Sequence, residues 1–266
     1  MLHGFVPPER FFPYLTWQEV SQLPADTVII QPVAAIEQHG YHLPLAVDAL
    51  IGTGVLGRAL AALDPQIPAY ALPPLCYGKS NEHWHFPGTI TLTGTTLLQT
   101  LMEVGESLYR AGLRKLVFAN SHGGQPQVLE MAARDLRQRY PDFYLFPLAI
   151  WRVPHQAEDL LDPQELAQGL HGGDAETSML LHLLPDTVHM ERATWEYPPQ
   201  VSALLSPEGS LPFAWVTRDL SSSGVIGDPR AATAEKGAAW VSRLAAGWVQ
   251  VITEIYQFHW PQRHSA

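Results

Sequence analysis

Apolar and polar positions along this chain follow two periods in turn, and the switching between them predicts its elements. Short apolar runs of the kind that become buried strands fall near residues 27–35, 68–73, 114–119 and 143–149. Between them, apolar residues recur at three- and four-residue spacing near 49–62, 95–111, 125–139, 174–184 and 229–257, which reads as helix, with a short helix at 17–20. In the last of these Trp240, Leu244, Trp248 and Ile252 share one face, which marks it for the core or for an oligomer seam. Strands alternating with helices predict an α/β fold: a single-domain α/β/α sandwich around a mainly parallel sheet. No internal repeat, low-complexity tract or linker interrupts the 266 residues, a length that buries one large core.

Composition narrows the function classes. Hydrophobic residues make up 46% and charged residues 16%, the balance of a compact chain. Sixteen Lys and Arg against 26 Asp and Glu leave a net charge of −10, which argues against a nucleic acid or an anionic membrane as partner. The one cysteine, Cys76, allows no intramolecular disulfide, and with no activating motif around it a packed residue beside Pro74 and Leu75 is expected. The first ten residues lack the basic-then-apolar pattern of a signal peptide, and no apolar run reaches the ~20 residues that span a bilayer, so a cytoplasmic enzyme is the expectation.

The chemistry gathers where predicted strands end. Glu37 and His39 follow the first strand two residues apart, so an extended backbone points both to one side. Asp48 returns after a loop with Gly and Pro. Two carboxylates and an imidazole at a strand end suit a divalent transition metal, although Asp48 in the first turn of a helix is also an ordinary cap. The strand ending at Asn120 runs into Ser121, His122, Gly123 and Gly124, a sharp turn without the Lys and Ser/Thr of a phosphate loop. His171, Gly172 and Gly173 precede Asp174 and Glu176, whose charges favour the start of the helix they open. The polar, aromatic stretch 77–88, with Glu82, His83, Trp84 and His85, reads equally as a substrate entrance or a surface loop. Residues 197–220 suggest a small β-extension or a subunit contact, and Ser221 to Gly224 a pocket cap or a plain turn.

Taken together, Glu37-Gln38-His39-Gly40 with His42 and Asp48, Asn120-Ser121-His122-Gly123-Gly124, and His171-Gly172-Gly173 with Glu176-Thr177-Ser178 resemble the creatininase family of metal-dependent amidohydrolases. Residues 81–90 and 223–229 match its style, so the likeness runs from about residue 28 to about residue 230. The resemblance implies two divalent ions (Zn, Mn or Fe) with Asp48 bridging them, Glu37 and His122 on one and His39 and Glu176 on the other. It also implies a bridging hydroxide as nucleophile and His171 as acid/base, with Glu176 beside it. Ser121, Gly123, His83 and Trp84 would line the substrate, a small-molecule amide, and the assembly would be a homohexamer. Two cations held close together need a shared anion, which Asp48 would supply. Creatininase proper has a glutamate where this chain has Gly124, and a tryptophan in the stretch occupied here by Ala167, Gln168, Gly169 and Leu170. Both departures argue against creatinine itself. The expected reaction is hydrolysis of a C–N bond in a small cyclic or linear amide. The alternatives are a deformylase or peptidase of cofactor biosynthesis using the same centre, or a non-catalytic metal-binding assembly subunit.

Overall fold

The computed structural model describes residues 3–260. Four strands, β1 (Val28–Val33), β2 (Ala69–Ala71), β3 (Lys115–Asn120) and β4 (Tyr144–Ala149), form a parallel sheet in the order β2-β1-β3-β4. Their side chains alternate between two apolar cores, as the pleat requires. Val28, Ile30, Val117 and Ala119 pack against α2 (Val47–Ala62), α6 (Asp174–Leu183) and α8 (Ala234–Gln257). Ile29, Val33, Leu116 and Phe118 pack on the other face against α3 (Gly94–Arg110) and α4 (Pro126–Arg139). The result is the expected α/β sandwich, here with every strand parallel.

Trp240, Leu244, Trp248 and Ile252 of α8 all lie in the first core, so that stripe is core and not a seam. The helix begins five residues later than its pattern suggests. Pro229–Ala231 is a separate turn held by the Asp228 side chain, and α8 starts only where Thr233 accepts from the Lys236 N–H. Three helices of one to two turns complete the chain: α1 (Trp17–Val20), α5 (Pro163–Gln168) and α7 (Thr217–Leu220). α5 starts at Asp162, whose carboxylate caps it, followed by Pro163 at the first helical position. No β-extension forms in 197–220. The segment contributes α7 and an isolated bridge, Ser206 to Pro212, while Glu196 just before it bridges to Gly227. Cys76 is half-buried, and burial raises its thiol pKa, which fits packing rather than nucleophilic chemistry.

Two prolines sit in strands without costing a ladder bond. Ile30 and Pro32 both turn their carbonyls toward residues 72–75, so the missing N–H of Pro32 faces the side where β2 has already ended. β4 pairs with β3 alone among the described residues, and the Tyr144 N–H points inward to Arg114 O, so alternation aims the Pro147 position outward. β1 and β3 are neighbours paired Val33 to Asn120, which delivers the two chemistry-bearing turns side by side at the carboxyl edge.

Candidate metal centre

Leaving β1, the chain fixes Glu37 by its N–H to Leu45 O, and the imidazole of His39 by an Nδ1 contact of 3.1 Å to Glu37 O. Leaving β3, Asn120 clamps the turn, accepting from the His122 N–H (3.1 Å) and donating to His122 O (2.7 Å). Asp48 lies in the first turn of α2 and Glu176 in that of α6. His171 is set by a two-way bridge to Ile226, and the Gly172 N–H donates to the Glu176 carboxylate at 2.6 Å. Residues more than 130 positions apart in the chain therefore converge on one small volume.

Their ligating atoms face one another. His39 Nε2 lies 3.5 Å from Asp48 Oδ1, 3.9 Å from Glu37 Oε1 and 4.0 Å from Glu176 Oε2. His122 Nδ1 lies 3.2 Å from Glu37 Oε1 and 3.4 Å from Asp48 Oδ2. Asp48 thus touches both imidazoles with different oxygens, the arrangement of a bridging carboxylate. His39 Nε2 and Asp48 Oδ2 are buried with no hydrogen-bond partner. A buried lone pair without a partner costs stability, and here both aim at the same space. The distant nitrogen of each imidazole is occupied instead: His39 Nδ1 by Glu37 O, and His122 Nε2 by Lys79 O at 3.0 Å and Glu82 Oε1 at 3.1 Å. Histidines held from outside, with the inward nitrogen of His39 unpartnered and that of His122 meeting carboxylates, are oriented as metal-ligating imidazoles are, so these residues fit divalent ions.

The electrostatics agree. Burial raises the Glu37 pKa, a shift that His122 opposes and the neighbouring Asp48 charge reinforces. Burial disfavours a charged His39, yet the carboxylates of Asp48, Glu176 and Glu37 outweigh it and push its pKa up to about 9. His122 is raised well above its ordinary value for the same reason, with Glu37 the main carboxylate. Burial also lifts Glu176 to about 7. A cluster that draws protons onto histidines and keeps a glutamate partly neutral holds more negative charge than its surroundings can neutralise. His171 behaves differently: burial and the neighbouring His39 hold it well below its ordinary pKa, so it is neutral.

Other residues proved closer to this centre than their sequence context suggested. Ser80 donates to the second oxygen of Glu37. Glu82 and His83 turn inward from a short 3-10 turn, whereas Trp84 is 69% exposed. A side chain at Gly124 would overlap the Glu82 carboxylate and crowd His122 Nε2, so Glu82 occupies the space that a larger residue at 124 would need. In the sequence, only the glycine at 124 together with Glu82 in the polar, aromatic 77–88 stretch hinted at that exchange. Ser121 packs its hydroxyl near Val33 O and Gly52 of α2, serving the helix–strand contact rather than the carboxylate cluster. Gly123 is exposed, with Glu208 as its nearest neighbour across the loop.

The family profile described as "Creatininase: Creatinine amidohydrolase" matches residues 13–252. The chain is 32% identical to the creatinine amidohydrolase of Pseudomonas putida over 256 residues, covering 90% of this chain and 95% of that protein. It is 37% identical over 224 residues to a mycofactocin precursor peptide peptidase of Mycobacterium ulcerans, covering 82% and 81%. Among solved structures, creatininase in its Mn form superposes with a TM-score of 0.77 at 29% identity, covering 93% of this chain and 98% of the other.

Proposed function

From the premise that this chain belongs to the creatininase family, we propose that it is an amidohydrolase working through two divalent transition metals held between β1, β3, α2 and α6. The observation that carries this reading is the pair of buried, unpartnered atoms His39 Nε2 and Asp48 Oδ2 facing a ring of carboxylates. Glu37, His122 Nδ1 and one oxygen of Asp48 would hold one ion, and His39 Nε2, Glu176 and the other oxygen of Asp48 the second. Bound there, the ions would supply an acidified water near neutral pH and a positive field for an amide carbonyl.

The rest is the chain's own work. His171 donates Nε2–H to Gln38 O at 2.6 Å, which leaves Nδ1 bare and 3.8 Å from Glu37 Oε1. A neutral imidazole with its free nitrogen at the cluster can take the proton of the attacking water and pass it to the departing nitrogen, which balances the hydrolysis. Ser80 holds Glu37 in place.

The substrate is an amide or cyclic amide of a small molecule, with His83 inside the site and Trp84 at its rim. A second reading, cleavage of an amide in a short peptide, is favoured by the higher identity to the peptide peptidase, 37% against 32%. Elemental analysis of protein purified without chelator tests the centre. Near two transition ions per chain are expected, and none after metal is added back would sink the reading. In His171→Asn the metal content should stay while hydrolysis of any substrate found falls by at least 100-fold, the scale of a lost acid/base group.

A further inference from the structure

Gln38 stands between two of the proposed ligands, Glu37 and His39, but is buried and turned to other work. Its amide can be oriented in only one way. Oε1 accepts the Gly40 N–H at 2.8 Å, and Nε2 lies 3.0 Å from Gly224 O, which can only accept. Reversing the amide would set two donors against each other at Gly40 and two acceptors against each other at Gly224. The second hydrogen on Nε2 therefore points to its remaining neighbour, His83 Nδ1, at 2.8 Å. A proton on that nitrogen would meet the Gln38 hydrogen head-on, so Nδ1 must be bare. The Thr217 hydroxyl, 2.9 Å from the same nitrogen, has one hydrogen and also lies 3.0 Å from Glu82 O, so with Nδ1 bare it turns that hydrogen to the imidazole and gives up the carbonyl.

A neutral imidazole with a bare Nδ1 carries its proton on Nε2. His83 Nε2 lies 3.6 Å from Glu37 Oε1, and its ring stacks on His171 with centroids 4.2 Å apart and planes at 30°. His171 carries the opposite assignment at the same place. Its Nε2–H is spent on the backbone carbonyl of Gln38, and its bare Nδ1 faces the same Glu37 oxygen. One residue thus sets both protons, through its side-chain amide for His83 and through its carbonyl for His171.

We propose that Gln38 is a positioning residue that divides two stacked imidazoles into an acceptor, His171 Nδ1, and a donor, His83 Nε2–H, and that His83 is the catalytic residue hydrogen-bonding the amide oxygen as it gains negative charge. This rests on the hydrolase reading above. It removes His83 from the ligand set, although its Nε2 lies within reach of Glu37 and His171 as a metal ligand would, because a ligating nitrogen needs a free lone pair. It also gives the two histidines complementary duties: one exchanges the water's proton, the other steadies the oxygen left behind.

The proton positions are read by long-range 1H–15N NMR on zinc-loaded protein with 15N-labelled histidine. His83 should show a proton on Nε2 and none on Nδ1. In Gln38→Glu the carboxylate can only accept, so the His83 proton should move to Nδ1. A wild-type His83 protonated on Nδ1, or ligating zinc through Nε2, overturns the proposal. Acetate, whose carboxylate stands in for the charged oxygen, tests the donor by calorimetry on the same zinc-loaded protein. His83→Leu should weaken acetate about tenfold or more, the loss of one hydrogen bond to a charged group, while His83→Gln, which keeps an N–H near the Nε2 position, should stay within about threefold. Equal weakening in both variants, with zinc content near two, would leave His83 a packing residue. If the wild type takes up no zinc, the hydrolase reading falls, and the His83 spectrum of the zinc-free protein still decides where Gln38 places the proton.

Discussion

Glu196 shows how one carboxylate can hold a whole turn in place. It accepts the N–H groups of Ser222 and Ser223 and the hydroxyls of Ser221 and Ser223. That gathers residues 221–224 into a cradle, with Gly224 O delivered to Gln38. The serine run is therefore a built turn behind the site. Burial works against the charge of Glu196, but these donors outweigh it and lower its pKa from 4.5 to about 2. A carboxylate depressed on folding adds stability above its unfolded pKa, here 4.5, and loses it as pH falls toward 2. Glu196→Gln should therefore be less stable than wild type at pH 7, by about 1–2 kcal/mol given its partly exposed setting. The two proteins should converge as pH drops through that window, measured by urea unfolding. Parallel pH curves would mean that the cradle does not depend on the charge.

At the scale of elements, the site depends on how closely α8 approaches α6, which carries Glu176. A side chain at Gly237 of α8 would overlap the backbone carbonyl of Ser178 in α6. Gly237→Ala should cost about 1–3 kcal/mol, because the neighbour is backbone and cannot swing away. A calorimetric melt reads this, and an unchanged melting temperature would show that the helices part without penalty. The same scale explains what the sequence disclosed. The strands and long helices repeat over enough residues for periodicity to place them within a few positions, and the ends of β1 and β3 pointed directly to Glu37, His39 and His122. α5 and α7 span 6 and 4 residues, too short for any period to emerge. The roles of Gln38 and Glu82 were hidden for another reason. Their partners, Gly224 and His122, lie 186 and 40 positions away, and only folding makes them neighbours.

Across the whole molecule, the buried carboxylates Glu37, Asp48 and Glu82 and the half-buried Glu176 sit within a chain that is already net negative at −10. Bound cations would relieve that repulsion in the folded state alone, so they should stabilise by mass action. Chelator treatment should lower the melting temperature, and added Mn or Zn should restore it in a concentration-dependent way, with about 3 kcal/mol regained per site at a hundredfold excess over Kd. A melting curve indifferent to chelator and metal would show that the cluster binds neither. No helix among the described residues is long and apolar enough to cross a membrane. Pro147 has a consequence beyond its own strand. The outer margin of β4 lacks one of its backbone donors, so a stray strand cannot template along it without a gap in the ladder. The opposite margin, β2, offers only three residues. Crowding or partial melting therefore gives this protein little purchase for runaway fibre growth by strand addition at either margin of its sheet.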